Sequence, residues 1–159
     1  MKLAQMKRTV GWDWMRDRGI SITPDSPIKE AVALMNKHSI HHLLVFEGKK
    51  YVGVLSSRDC VLRNGGTVRD HMRTDVPVLE EQSEVRDALR WIIELHCTAV
   101  PVKTDGEVKT LITSTDLLNL LAVHLENEGK VSDVIRRGAN ILSKPVFQSV
   151  MDVLGKAGI

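Results

Sequence analysis

An internal repeat with a spacing of 57 residues constrains this chain more than any other feature of its sequence. The pairs that keep this spacing are Asp13 with Asp70, Met15-Arg16 with Met72-Arg73, Ser26 with Ser83, Ala31 with Ala88, Val45 with Val102, Ser57 with Ser114 and Asp59 with Asp116. The two copies align without a gap from about residue 10 to residue 62. Such a repeat predicts two equivalent units that bury their apolar faces together, with a cleft at their junction where a ligand can bind.

The same order of structural signals occurs in each copy. In the first copy, a short strand-forming run is followed by Ser26-Pro27, a good start for a helix with apolar residues at helical spacing. Two further strand-forming runs flank a tight turn at residues 47–50, and a second helix begins near Ser57. Each copy therefore predicts β-α-β-β-α. The predicted fold class is α+β of the α/β type, with two pseudo-symmetric repeats packed as one module.

The expected boundaries follow from the repeat and from the glycines at residues 65–66. Residues 1–66 hold the first copy with an N-terminal segment, residues 67–126 hold the second copy, and residues 127–159 form a C-terminal tail. The tail is predicted to contain an amphipathic helix from near Pro145 to Gly155.

The amino-acid composition limits the kinds of partner that this chain is expected to bind. Hydrophobic residues make up 43% and charged residues 26% of 159 residues, as in ordinary globular proteins. A net charge of +2 and an aromatic content of 4% argue against a nucleic-acid partner. The apolar runs are too short to cross a bilayer, so no membrane partner is expected. Cys60 and Cys97 form no CxxC motif and are interpreted as free thiols of a reducing compartment, which favours a cytoplasmic location.

Both predicted hairpins end in the pattern Ser/Thr-x-x-Asp at a strand-to-helix junction. These residues are Ser56 and Asp59 in the first copy, and Thr113 and Asp116 in the second. The pattern alone is a helix capping box, which is a structural role. A helix N-terminus also attracts anions, hydroxyls donate to phosphate, and a carboxylate accepts from the paired hydroxyls of a ribose. The junctions are therefore candidate sites for a nucleotide.

With these motifs in this order, the chain resembles the CBS domain family, named for cystathionine β-synthase, in a tandem arrangement known as a Bateman module. The supporting residues are Asp13-Trp14-Met15 and Asp70-His71-Met72 at the entrance, residues 40–45 and 97–102 in the middle strand, and residues 51–59 at the end of the hairpin. The resemblance covers about residues 10–125. It is carried by the order and duplicate spacing of motifs that are individually loose.

The resemblance implies a non-catalytic regulatory module that binds adenine nucleotides between the copies, without a catalytic cofactor. No metal site is expected, because His41 and His42 are neighbours on a predicted strand and point to opposite faces. AMP is the favoured ligand, with ADP, ATP and S-adenosylmethionine as alternatives. One implied site uses Ile112, Thr113, Thr115 and Asp116 with Ile20, Ile40, His41 and His42. The other uses Val54, Ser56, Arg58 and Asp59 with Pro77, Cys97 and Thr98.

The two implied sites are not equivalent. Thr113 and Thr115 both offer hydroxyls near the helix N-terminus, which favours the Asp116 site as the stronger. His41 and His42 of the other copy support this ranking, because they occupy positions where family members often place His or Arg against phosphate. Arg58 beside Asp59 would compensate if it paired with phosphate. The resemblance also implies a homodimer, and a regulated protein partner stays unidentified.

Two other functions are open. One is a CBS-fold scaffold that dimerises without a nucleotide. The other is an enzyme, although the sequence contains no nucleophile elbow, P-loop, zinc signature or paired carboxylates.

Overall fold

The computed structural model describes residues 1–9, 19–61 and 65–127, and the predicted C-terminal helix and the Asp13-Trp14-Met15 motif lie outside them. Within these ranges the chain forms helices and strands in the following order: α1 (Leu3–Thr9), β1 (Ser21–Ile22), α2 (Ile28–His38), β2 (His42–Glu47), β3 (Lys50–Ser56), α3 (Ser57–Val61), α4 (Val68–His71), β4 (Leu79–Glu80), α5 (Val85–Glu94), β5 (Ala99–Thr104), β6 (Glu107–Thr113) and α6 (Ser114–Asn127). The predicted β-α-β-β-α order is confirmed in both copies, and the additional helices α1 and α4 precede them.

The repeat is reproduced in the strand pairing. Each copy has a three-stranded sheet in which the first strand is parallel to the second and the second is antiparallel to the third. His42 pairs with Ser56 in the first sheet, and Ala99 pairs with Thr113 in the second. The register of each hairpin also shifts at an equivalent place, after Val45 and after Val102. The irregularity therefore bends the two hairpins at the same position.

The helices α2 and α5 are each followed by a residue with a left-handed backbone. Ser39 follows α2 with a φ of 53°, and His96 lies at the equivalent position after α5 with a φ of 50°. This conformation turns the chain sharply from the helix toward the next strand. It delivers both residues to the end of the sheet where the hairpins finish.

The short helices are exchanged between the copies. Leu3 and Met6 of α1 are fully buried in the core of the second copy, whereas Val68 of α4 is fully buried in the core of the first. Packing therefore crosses the predicted boundary at residue 66, because each of the two apolar cores contains residues from both sides of that boundary.

Equivalent backbone hydrogen bonds define this exchange. The amide of Leu3 donates to Ser83 at 2.9 Å, and the amide of Val68 donates to Ser26 at 2.9 Å. Since Ser26 and Ser83 are repeat partners, Leu3 is the structural counterpart of Val68. The gap-free alignment places residue 11 there instead, so the spacing of 57 residues does not extend to the N-terminal helix.

The backbones of the two copies approach each other closely at Gly53. A bridge between Val54 and Arg73 joins their backbones, with N···O distances of 3.0 and 2.8 Å. A Cβ atom on Gly53 would lie 2.6 Å from the carbonyl oxygen of Arg73. The absence of a side chain at Gly53 therefore permits this contact.

Candidate ligand-binding site

The first strand-to-helix junction is a capping box that leaves one carboxylate oxygen without a bond to a described residue. The amide of Ser56 donates to Asp59 Oδ2 at 3.1 Å, and the Ser56 hydroxyl donates to the same oxygen at 2.6 Å. The amide of Asp59 donates back to the Ser56 hydroxyl at 3.2 Å. Asp59 is half-buried, and no described residue donates to its Oδ1. The junction thus has its cap and a free acceptor on the same carboxylate.

The second junction has the same cap but a different environment. The amide of Thr113 donates to Asp116 Oδ2 at 2.7 Å, and the amide of Asp116 donates to the Thr113 hydroxyl at 3.3 Å. Asp116 has 0% of its surface exposed. The structural role that the pattern predicts is therefore present at both junctions, while only Asp59 is reachable.

A hydrogen bond between the copies marks the centre of the cleft. His42 Nε2 and the Thr98 hydroxyl are 2.6 Å apart, at the start of β2 and just before β5. Nearby, the amides of Ser57 and Ser114 donate to the carbonyls of His41 and Thr98, at 2.8 and 3.0 Å. These equivalent bonds fix the first turns of α3 and α6 against the residues that precede β2 and β5, at the same end of each hairpin.

Two cavities open on the two sides of this centre. The first, called here the Thr113 cavity, has a volume of about 480 Å³ and is lined by Ser39, Ile40, His41, His42, Ser56, Ser57, Arg58, Thr98, Leu111, Thr113, Ser114 and Thr115. The second, called the Asp59 cavity, has a volume of about 450 Å³ and is lined by His42, Val54, Ser56, Arg58, Asp59, Arg73, Leu95, His96, Cys97, Thr98 and Ala99. Both volumes suit a small-molecule ligand.

The structure brings most of the predicted site residues to these cavities. Those that line at least one of them are Ile40, His41, His42, Val54, Ser56, Arg58, Asp59, Cys97, Thr98, Thr113 and Thr115. His42 and Thr98 line both cavities, whereas the sequence assigned each of them to a single site.

Four predicted site residues lie away from both cavities, namely Ile20, Pro77, Ile112 and Asp116. Ile112 is fully buried in the second core, and Leu111 lines the Thr113 cavity in its place. Asp116 is turned inward to cap Thr113. Ile20 packs against the first core, and its carbonyl accepts from Leu44.

Several lining residues escaped the sequence analysis. Ser39 and His96 reach the cavities because each ends a helix in a left-handed conformation, and their equivalent positions in the repeat are the signal that could have identified them. Arg73 reaches the Asp59 cavity through its bridge to Val54. That contact joins the two copies, and no local pattern predicts it.

The cationic side chains of the cavities differ in how they are paired. Arg73 donates to Asp75 at 3.0 and 2.6 Å and to the Leu95 carbonyl at 2.9 Å, and the Arg73 hydrogen bond lowers the pKa of Asp75. Arg58 is exposed and forms no ion pair with a described residue. Burial raises the pKa of the Cys97 thiol, which Arg73 only partly offsets. The Asp59 cavity thus presents a carboxylate, an available guanidinium and a neutral thiol.

The profile of the CBS domain matches residues 10–63 and 68–123, which together make up more than half of the chain. The chain belongs to the CBS domain family. Its two repeats form a tandem CBS pair, as the sequence predicted.

Among the curated relatives, a zinc metalloprotease of Methanocaldococcus jannaschii is 31% identical over 121 residues, covering 76% of this chain and 34% of the relative. Inosine-5'-monophosphate dehydrogenase of Korarchaeum cryptofilum is 29% identical over 101 residues, covering 62% of this chain and 21% of the relative. This chain therefore spans about a third or less of the length of these relatives.

Solved structures share the fold. A putative signal-transduction protein with CBS domains from Burkholderia ambifaria superposes with a TM-score of 0.66 at 22% identity, covering 76% of this chain and 93% of that one. A CBS domain pair in complex with 5'-methylthioadenosine and S-adenosyl-L-methionine superposes with a TM-score of 0.64 at 24% identity, covering 77% and 96%. Among the described helices, none is both long enough and apolar enough to cross a membrane.

Proposed function

We propose that this CBS pair is a non-catalytic sensor that binds an adenosine-containing ligand in the cleft between its repeats. The observation that carries the proposal concerns the Asp59 carboxylate, which lines a cavity of about 450 Å³. Its Oδ2 accepts the bonds of the cap, whereas its Oδ1 accepts no hydrogen bond from a described residue. A fixed carboxylate of this kind accepts hydrogen bonds from the two hydroxyls of a ribose. Arg58, on the same helical turn, is placed to receive phosphate.

The comparison with solved structures supports an adenosine-type ligand. A CBS pair of the same fold is known with 5'-methylthioadenosine and S-adenosyl-L-methionine. Val54, Cys97 and Ala99 give the Asp59 cavity apolar surface against which a purine can pack. Within this class we favour AMP, because Arg58 adds donors for a phosphate next to the ribose acceptor.

We further propose that the chain reports ligand occupancy by associating with other proteins. Leu89 and Ile93 of α5 are 46% and 54% exposed, and Leu118 and Leu121 of α6 are 41% and 51% exposed. Exposed apolar side chains on two adjacent helices favour contact with a second copy of this chain. We also propose that the module regulates a partner protein, and that the module and this partner are located in the cytoplasm.

A thermal-shift screen with AMP, ADP, ATP, S-adenosylmethionine and 5'-methylthioadenosine tests the proposal, with CMP as the control. A ligand at ~100 times its dissociation constant adds about 2.7 kcal/mol to the free energy of unfolding. For a chain of 159 residues this raises the melting temperature by roughly 5–10 °C. If every adenosine compound at millimolar concentration leaves the melt unchanged, the chain is a scaffold without a ligand.

A further inference from the structure

The two cavities have a common wall. His42, Ser56, Arg58 and Thr98 line both of them, and the 2.6 Å hydrogen bond between His42 and Thr98 runs through this wall. A ligand that fills one cavity therefore contacts side chains that a ligand in the other also needs. Binding in one cavity is therefore coupled to binding in the other through these shared side chains.

Among the described residues that form this wall, one carries a permanent positive charge. Among the described residues, the only arginine or lysine side chains that line a cavity are Arg58, which lines both, and Arg73, which lines the Asp59 cavity and is paired with Asp75. The repeat partner of Arg58 is Thr115, an uncharged residue that lines the Thr113 cavity. Within the described part of the chain, the two hydroxyl-rich junctions therefore lie around one guanidinium that forms no ion pair, that of Arg58.

We propose that the CBS pair holds one phosphorylated ligand at a time, and that an uncharged adenosine compound is accepted together with it. This inference rests on the proposed function. A nucleotide monophosphate carries about −1.5 to −2 charges at pH 7, by analogy with other phosphomonoesters. One guanidinium pairs well with one such phosphate, and a second phosphate across the shared wall meets the negative charge of the first. An uncharged nucleoside meets no such repulsion.

Calorimetric titrations of the full chain with AMP and with 5'-methylthioadenosine distinguish the two ligand charges. We expect one AMP per chain and two molecules of 5'-methylthioadenosine at matched multiples of the dissociation constant. A second AMP should bind about 100-fold more weakly than the first, toward the upper end of ordinary coupling between sites. Raising the salt concentration should reduce this difference, because salt screens the repulsion.

Charge variants at the repeat positions make the assignment specific. Arg58→Gln should weaken AMP by at least about tenfold and leave 5'-methylthioadenosine within twofold of the wild-type affinity. Thr115→Arg supplies a second cation to the Thr113 cavity and should raise the AMP stoichiometry toward two. Arg86→Gln is the matched control, because Arg86 is 81% exposed and lines neither cavity.

The outcomes separate this inference from the proposed function. Two AMP molecules bound with equal affinity, or an equal loss for both ligands in Arg58→Gln, would overturn the inference and leave an adenosine-binding site in place. Failure of both ligands to bind the wild-type chain would overturn the proposed function, and with it the inference that only one phosphorylated ligand binds at a time.

Discussion

Replacing Tyr51 with Phe tests the packing between the copies, because it removes only the buried hydroxyl of the side chain. Tyr51 lies on β3 of the first copy, contacts Phe46 edge-on at 5.9 Å and packs against the core of the second copy. Its hydroxyl is buried and has no hydrogen-bond partner among the described residues. An unpaired buried hydroxyl costs about 1–3 kcal/mol, so removing it should be favourable.

The expected gain follows from that cost. Because part of the Tyr51 ring remains exposed, we take the lower end of the range and expect Tyr51→Phe to stabilise the chain by about 1 kcal/mol. For a protein of this size the melting temperature should rise by about 2–4 °C. The measurement is paired thermal melts of the wild type and the variant at pH 7.5.

Alkaline pH gives a second, independent readout. Burial raises the pKa of Tyr51 to about 12, above its ordinary value of about 10. A raised folded-state pKa gives stability that is fully present below pH 10 and lost as pH rises through about 12. Two pKa units correspond to about 2.7 kcal/mol, which partial exposure reduces to about 1–2 kcal/mol. The Tyr51→Phe variant should not show this loss of stability at alkaline pH.

The chain contains one tyrosine, so tyrosinate absorbance reports Tyr51 directly. A pH titration of the folded wild type should place the midpoint near 12. A midpoint near 10 together with a Phe variant less stable than the wild type would refute the inferred burial of the hydroxyl.

Three further substitutions test other contacts. Gly53→Ala should destabilise the chain by roughly 1–3 kcal/mol in urea unfolding, because its Cβ would lie 2.6 Å from the Arg73 carbonyl; a neutral effect would argue against the close approach of the copies. His71→Leu should cost about 2 kcal/mol in the same assay, because the buried ring contacts two backbone carbonyls at 3.0 and 2.7 Å, and an unchanged midpoint would contradict that role. Ile93→Asp should convert the proposed homodimer to a monomer of 17.8 kDa in light scattering; a dimer that survives would exclude the α5 surface as its interface.

Sequence reasoning succeeded where the signal was local and repeated. The strand order, the hairpins and both capping boxes follow from patterns a few residues long that occur at the same spacing in both copies. Ser56 and Thr113 cap Asp59 and Asp116 as the pattern predicts. Local hydrogen bonding decides these features, so neighbouring residues were sufficient to predict them.

Sequence reasoning fell short where the result depends on which copy an element packs against. Nothing in α1 indicates that Leu3 and Met6 enter the second core, and the gap-free alignment assigned that role to later residues. The same holds for Asp116, since an identical cap can face a cavity or the interior. The predicted preference for the Asp116 site rested on hydroxyls and histidines, whereas the exposure of Asp59 favours the Asp59 cavity.

Titration of AMP into the wild type, Asp59→Asn and Asp116→Asn tests the central claim most directly. Asn retains an acceptor oxygen for each cap but loses the charge that would hold the ribose. We expect Asp59→Asn to lose about 1.5–3 kcal/mol of binding free energy, roughly a 10- to 150-fold weaker affinity, with Asp116→Asn close to wild type. An Asp59→Asn variant that binds AMP as the wild type does, with the loss confined to Asp116→Asn, would contradict the account.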